Sequence, residues 1–292
     1  MLPTPFDDSG GIQWDDFAAI IAYQLDNGVH GIAVLGLGGE ASRLSVDERL
    51  KVADTVLRAV PRNTPVLIGV TAQDTVSACT LAGRAAQSGA TAVMVAPPAN
   101  PMSREALRDH YLAVCDAAAS IEVMVQDAPA FIEVSLGATF VAELAAACGN
   151  VRYAKSEAFP AAARTEELVN LLGERVGVFG GACGLHYLDV LDAGAAGMIP
   201  GCEAPAEFVG IYNAYRAGRR DEAAERFARL QPLLVFEAQT LDIFVASSKA
   251  ILKSRGIIRS DALRAPNPLD AGSRRVLMRH AKRAILTGSS QV

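Results

Sequence analysis

The sequence has no Cys-x-x-Cys pair, no run of basic residues and no stretch of about 18 uninterrupted apolar residues. Each absence removes a class of function. The five cysteines, Cys79, Cys115, Cys148, Cys183 and Cys202, are odd in number and unpaired in spacing. They suggest neither a disulfide framework nor a structural zinc site, and reduced, packed thiols fit a cytoplasmic protein. Basic side chains number 27 against 32 acidic ones, a formal charge of −5. That balance, without basic clusters, argues against nucleic acid or an anionic membrane as the main partner. The opening MLPTPFDDSG lacks a basic region followed by an apolar one, so neither an export signal nor a membrane span is expected. No glycine-rich dinucleotide fingerprint follows the first candidate strand.

What is present is a repeated unit: an amphipathic helical stretch, a glycine stop, then a short apolar run ending in small residues. It is clearest at Asp26-Asn-Gly28 before VHGIAVLG, Gln87-Ser-Gly89 before ATAVMVAP, and Asp192-Ala-Gly194 before AAGMIPG. Glycine just past a helix supplies the left-handed conformation, and the runs that follow suit buried parallel strands. Such runs predict eight strands near 2–5, 29–35, 65–70, 90–96, 121–126, 151–155, 176–180 and 195–199. Between them, Ser45 with Glu48 forms a capping-box pattern and Ser103 can cap the helix that runs to Cys115. Eight alternating units predict an α/β fold of (β/α)8 TIM-barrel type over residues 1–218. The helical patterns beyond, at DEAAERFARLQPLLVFE, SKAILKSRG and SRRVLMRHAKRAIL, predict a C-terminal helical extension over 219–292, with a frayed polar end, TGSSQV.

In such a barrel, chemistry sits at the C-terminal ends of the strands. Lys155 ends the run Val151-Arg-Tyr-Ala-Lys155, and strand alternation places Val151, Tyr153 and Lys155 on one face. Position alone leaves two readings: a solvent-facing strand-end lysine, or an amine whose lost hydration disfavours the charged form and frees it to attack a carbonyl. Glu157, two residues on, enters the same cavity if the chain stays extended, and otherwise forms a surface pair at a helix start. The amides of Gly36, Gly38 and Gly39 could hold a carboxylate, or simply make a tight turn. His186 reads as packed at a helix start. His30, His110 and His280 do not cluster with other ligands, so no metal is expected.

Taken together, Thr4-Pro-Phe6 with Asp8 and Gly10-Gly11, Gly36-Leu-Gly-Gly-Glu40 with Leu44-Ser45 and Glu48, Pro129, Lys155, Gly180-Gly181, Ser248-Lys-Ala250 and Leu263-Arg-Ala-Pro266 resemble the dihydrodipicolinate synthase / N-acetylneuraminate lyase family. These are class I aldolase-type enzymes, and the likeness runs from Thr4 to about Leu286. It implies a barrel with a helical extension, usually tetrameric, so a homotetramer or homodimer is expected. It also implies a lysine, here Lys155, that forms a covalent imine with pyruvate or another 2-keto acid and needs no cofactor. Gly38, Gly39, Gln126, Gly181 and Ile199 are then candidate substrate contacts.

The departures narrow the resemblance. Leu37 and Gly38 stand where the family usually has two hydroxyl residues, and Gln126 stands in place of the catalytic tyrosine. An amide cannot shuttle protons. Phe131 replaces the arginine that grips the aldehyde's carboxylate in dihydrodipicolinate synthase proper, and a ring cannot replace a guanidinium fork. Val123-Met-Val-Gln-Asp-Ala-Pro129 with Lys155-Ser-Glu157 looks like the 2-keto-3-deoxy-L-arabonate dehydratase branch, although Ala72 stands where that branch has a histidine. The resemblance therefore implies dehydration of a 2-keto-3-deoxy sugar acid, with Glu157 in acid/base work. The alternatives are a pyruvate-dependent aldolase, including 4-hydroxy-tetrahydrodipicolinate synthase-like activity, and a non-catalytic keto-acid-binding paralogue. Relatives carry several apolar residues before the Thr-Pro-Phe turn, whereas only Met1 to Pro3 precede it here. Either the barrel closes with a stub, or the natural start lies upstream.

Overall fold

The structure is a computed structural model that describes residues 1–285. The polar end expected to fray, from Thr287, lies outside them. In chain order the elements are α1 (Asp16–Asp26), β1 (Ile32–Val34), α2 (Val46–Ala59), β2 (Val66–Gly69), α3 (Thr75–Gln87), β3 (Ala92–Val95), α4 (Arg104–Ala117), β4 (Glu122–Asp127), α5 (Pro129–Ile132), α6 (Ala138–Ala147), β5 (Val151–Ser156), α7 (Ala161–Leu172), β6 (Gly177–Gly180), α8 (Tyr187–Asp192), β7 (Gly197–Met198), α9 (Pro205–Arg216), α10 (Arg220–Glu237), α11 (Leu241–Ser254) and α12 (Ala271–Ala284). The strands form one parallel sheet in sequential order from β1 to β7. That order, with a helix on each crossover, is the arrangement of an α/β barrel.

The local signals act as their chemistry requires. Ser45 and Glu48 close a capping box on α2, and the Ser103 hydroxyl accepts from the Ala106 amide at the start of α4. Gly28, Gly89 and Gly194 all take positive φ, at 77°, 86° and 93°, which turns each helix end back into the next strand. Valines of β3, β4 and β6 pack outward with helix side chains such as Val52, Leu81 and Leu144 in one large core. A second core joins α8 and α9 to α10, α11 and α12 through Tyr187, Phe208, Leu234, Ile251 and Leu277.

Two expectations are corrected. Residues 2–5 do not form a strand. The Leu2 amide donates to Ala33 O at 2.7 Å and Phe6 makes one antiparallel bridge to Ile12, but Pro3 and Pro5 have no N–H to extend a ladder. Seven strands are therefore formed among the described residues instead of eight, and a cavity of about 520 Å³ lies between β1 and β7. It is lined by groups such as Ile32, Leu67, Met124, Phe179 and Met198, and no lysine or carboxylate reaches it. The second correction concerns β5. A register shift opposite Val123 and Met124 loops out Arg152, so Val151 joins the outer core with Ala154 while Tyr153 faces the interior cavity. A bulge of this kind resets strand alternation.

Candidate active site

The C-terminal ends of β4, β5 and β6 bring three polar side chains together. Parallel register pairs Gln126 with Lys155, and Lys155 with Phe179. The Glu157 amide continues the ladder by donating to Asp127 O at 2.9 Å, so the chain is still extended there. Lys155 and Glu157 consequently point into one cavity, as alternation predicts, and all three side chains are buried, with 5%, 6% and 1% exposure for Lys155, Glu157 and Gln126.

Glu157 is the hub. Its Oε2 lies 3.2 Å from Lys155 Nζ and accepts from Gln126 Nε2 at 2.5 Å, while its Oε1 accepts from the Ala182 amide at 2.6 Å. Two hydrogen-bond donors thus fix one buried carboxylate beside one buried amine. Gly181 makes room for this arrangement. A Cβ there would sit 2.2 Å from Glu157 Oε1 and 2.6 Å from Lys155 Cε. The following residues Ala182 and Cys183 take left-handed φ of 48° and 61°. Leu35, Glu40 and Glu133 do the same, and all five lie in loops after β1, β4 or β6. Non-glycine residues held in that region cluster where a fold constrains a functional loop.

A pocket of about 30 Å³ opens onto the amine and is lined by Gly38, Gln126, Lys155, Glu157 and Ile199, together with Met1, Leu37, Phe131, Cys183, Pro200, Leu241 and Phe244. Burial pushes the Cys183 thiol well above its ordinary range, which makes it a wall and not a nucleophile. Gly38 is flush with the pocket because the Phe244 ring would lie 2.6 Å from a Cβ there. Gly39 does not line the pocket. Its N–H donates to Gly36 O at 2.9 Å and closes the turn, so of the three glycines expected at the substrate, Gly38, Gly39 and Gly181, only Gly38 lines the pocket. Leu241 and Phe244 come from α11 and were missed in the sequence. Their only local signal is the Thr240 cap, whose hydroxyl accepts from the Ile243 amide.

The remaining sequence markers converge on a different task. Glu40 Oε1 meets Lys249 Nζ at 2.5 Å, Lys249 also donates to Ala262 O, and Arg264 grips Glu48 with two bonds at 2.6 and 2.7 Å. Lys249 is wholly buried. This network clamps the helical extension onto the loop after β1, which is structural work. His186 precedes α8, with its ring against Phe159 and 3.3 Å from Asp189. Among the described residues no three His, Cys, Asp or Glu side chains group as metal ligands, and no helix is long and apolar enough to cross a membrane.

Comparison with known proteins matches the pattern of the dihydrodipicolinate synthetase family to residues 1–284. The chain is 32% identical to an L-2-keto-3-deoxyarabonate dehydratase from Azospirillum brasilense, over 97% of this chain and 92% of that one. It is 30% identical to a 4-hydroxy-tetrahydrodipicolinate synthase from Pelobacter propionicus, over 94% of each. Among solved structures, YagE from E. coli K12, a prophage protein of the dihydrodipicolinic acid synthase family in complex with pyruvate, superposes with a TM-score of 0.90 at 26% identity, covering 97% of this chain and 96% of that one.

Proposed function

The chain belongs to the dihydrodipicolinate synthetase family, and from that premise we propose that it is a Schiff-base hydro-lyase that removes water from a 2-keto-3-deoxy acid of the sugar-acid type. Members of the family are lyases that work through an imine on a lysine and need no metal or organic cofactor. They act on small keto acids. The observation that carries the finer reading is the buried Lys155–Glu157 pair at 3.2 Å with Gln126, not a tyrosine, beside it.

Unprotonated Lys155 Nζ adds to C2 of the keto acid, and the carbonyl oxygen leaves as water, carrying one proton from the amine and one from solvent, to give an iminium; the solvent proton is returned when hydrolysis restores the neutral amine. The Glu157 carboxylate takes a proton from C3, and the C–H electron pair forms the enamine. That pair then moves to C3–C4 and expels the C4 hydroxyl, which leaves as water with the proton returned by Glu157. Hydrolysis of the conjugated iminium frees Lys155 and releases an unsaturated 2-keto acid. Gln126 positions Glu157 by its amide donor, Gly38 offers its backbone to the substrate carboxylate, Ile199 shapes the wall, and Gly181 leaves room behind the Lys155–Glu157 pair. The scaffold proposed for this chemistry is the (β/α)8 barrel, in a cytoplasmic homotetramer or homodimer; sedimentation tests the assembly.

Incubation with a panel of 2-keto-3-deoxy acids separates the readings. Loss of water without pyruvate supports the proposal, and pyruvate release assigns carbon–carbon cleavage instead. Thermal stabilisation by keto acids with no turnover of any of them marks a binding paralogue.

A further inference from the structure

Asp127 follows Gln126 at the end of β4, and strand alternation turns its side chain away from the pocket that Gln126 lines. The residue is buried, and it is joined to the site at two points. Its carbonyl oxygen accepts the Glu157 amide at 2.9 Å, and its Oδ1 accepts the Leu136 amide at 3.0 Å. The second bond closes a strap, residues 128–136, that leaves the barrel after β4 and carries the pocket-lining ring of Phe131.

Within the strap the backbone bonds are local. The Phe131 and Ile132 amides donate to Ala128 O, the Glu133 amide donates to Pro129 O, and Glu133 then takes a left-handed φ of 58° that ends α5. Among the described residues the Val134, Ser135 and Leu136 amides donate to no backbone group. The Asp127–Leu136 bond is itself buried, so removing its acceptor leaves an amide that must move to find water, and Phe131 moves with it. Burial raises the Asp127 carboxyl above its ordinary range, and either protonation state offers Leu136 an acceptor oxygen, as an asparagine would.

We infer that Asp127 is a positioning residue: through its bond to Leu136 it holds the strap that sets Phe131 against the pocket opening onto Lys155. The inference rests on the imine reading of that pocket. Asp127 itself touches no reacting atom.

The test reads pyruvate capture. The protein is reduced with borohydride across a series of pyruvate concentrations, and the adduct on Lys155 is quantified by peptide mass mapping, which gives a half-saturating concentration and a maximum yield. Asp127→Ala should raise the half-saturating concentration by about fivefold or more, the scale of one lost buried hydrogen bond. The maximum yield should not change, because the backbone carbonyl that holds Glu157 is still present. Asp127→Leu keeps the side-chain shape without an acceptor, carries the same expectation, and stands in if circular dichroism finds the alanine variant unfolded. Asp127→Asn should stay within about twofold of the parent, since its amide oxygen accepts the same bond. Phe131→Ala should match Asp127→Ala, and the double variant should exceed Phe131→Ala by less than about twofold, because two changes acting through one contact do not add. An Asp127→Ala value within about twofold of the parent, an asparagine variant as impaired as the alanine one, or effects that multiply in the double variant each overturn the inference and leave the imine reading standing. If the parent gives no adduct, the imine reading falls and the inference falls with it.

Discussion

Gly181→Ala places one methyl group where the structure has no space for it. The added Cβ would lie 2.2 Å from Glu157 Oε1, 2.5 Å from its Cδ and 2.6 Å from Lys155 Cε. Ordinary contact begins near 3.4 Å, so the carboxylate must retreat by 3.4 − 2.2 = 1.2 Å or the loop must shift as far. Glu157 cannot retreat and keep its bonds to Gln126 and the Ala182 amide. Displacement of about 1 Å at a reacting group costs roughly 100-fold in rate, or about 2.7 kcal/mol of barrier. Overpacking costs the fold about 1–3 kcal/mol, so the variant should remain folded at 25 °C. Steady-state turnover of the best 2-keto-3-deoxy acid, with circular dichroism as a folding control, is the assay. A folded variant with turnover within threefold of the parent refutes the claim that Gly181 sets the position of the Lys155–Glu157 pair.

Glu157→Gln keeps the side-chain shape but removes the proton carrier. Turnover should fall by about 10²–10⁴-fold while borohydride still traps a keto acid on Lys155; loss of trapping together with turnover would assign Glu157 to imine formation instead. Lys249→Met leaves Glu40 as a buried carboxylate without its cation, which should cost about 3–5 kcal/mol in chemical denaturation. The double variant with Glu40→Gln should recover most of that loss. Glu237 is fully buried, neither carboxyl oxygen meets a donor, and burial, helped by Glu203, raises its pKa well above the usual carboxylate range. The folded state therefore holds a proton that the unfolded chain releases above about pH 4.5. Stability attributable to this group falls as pH rises from there. Glu237→Gln should raise the Tm by about 2 °C or more at pH 8 and leave it unchanged at pH 4; an equal shift at both values contradicts the assignment.

Much of the site could be read before the fold was known, because its chemistry is local in sequence. Lys155 and Glu157 sit two apart at a strand end, and an extended chain with period two must send both to one side. Gln126 was legible only through family likeness, since nothing in a sequence fixes the register that sets β4 beside β5. The same alternation misplaced Val151, because the extra residue at Arg152 reverses the face and a bulge leaves no compositional mark here. The first predicted strand failed for a reason visible in the residues themselves: Pro3 and Pro5 lack the donors a ladder requires. Leu241 and Phe244 reach the pocket from the far end of the chain, on a helix whose apolar positions also serve cores against other elements. Periodicity says that such a face is buried and does not say against what. A glycine-rich turn can either offer its amides or bond them internally, and sequence leaves both open; here the Gly36 carbonyl takes the Gly39 amide.

The central claim is that the Lys155 amine is the nucleophile. Reduction of the protein with borohydride in the presence of pyruvate, followed by peptide mass mapping, tests it directly. The account predicts one reduced pyruvate per chain on the peptide containing Lys155, and none in Lys155→Ala. An unmodified Lys155 peptide, or an undiminished adduct in that variant, would contradict it.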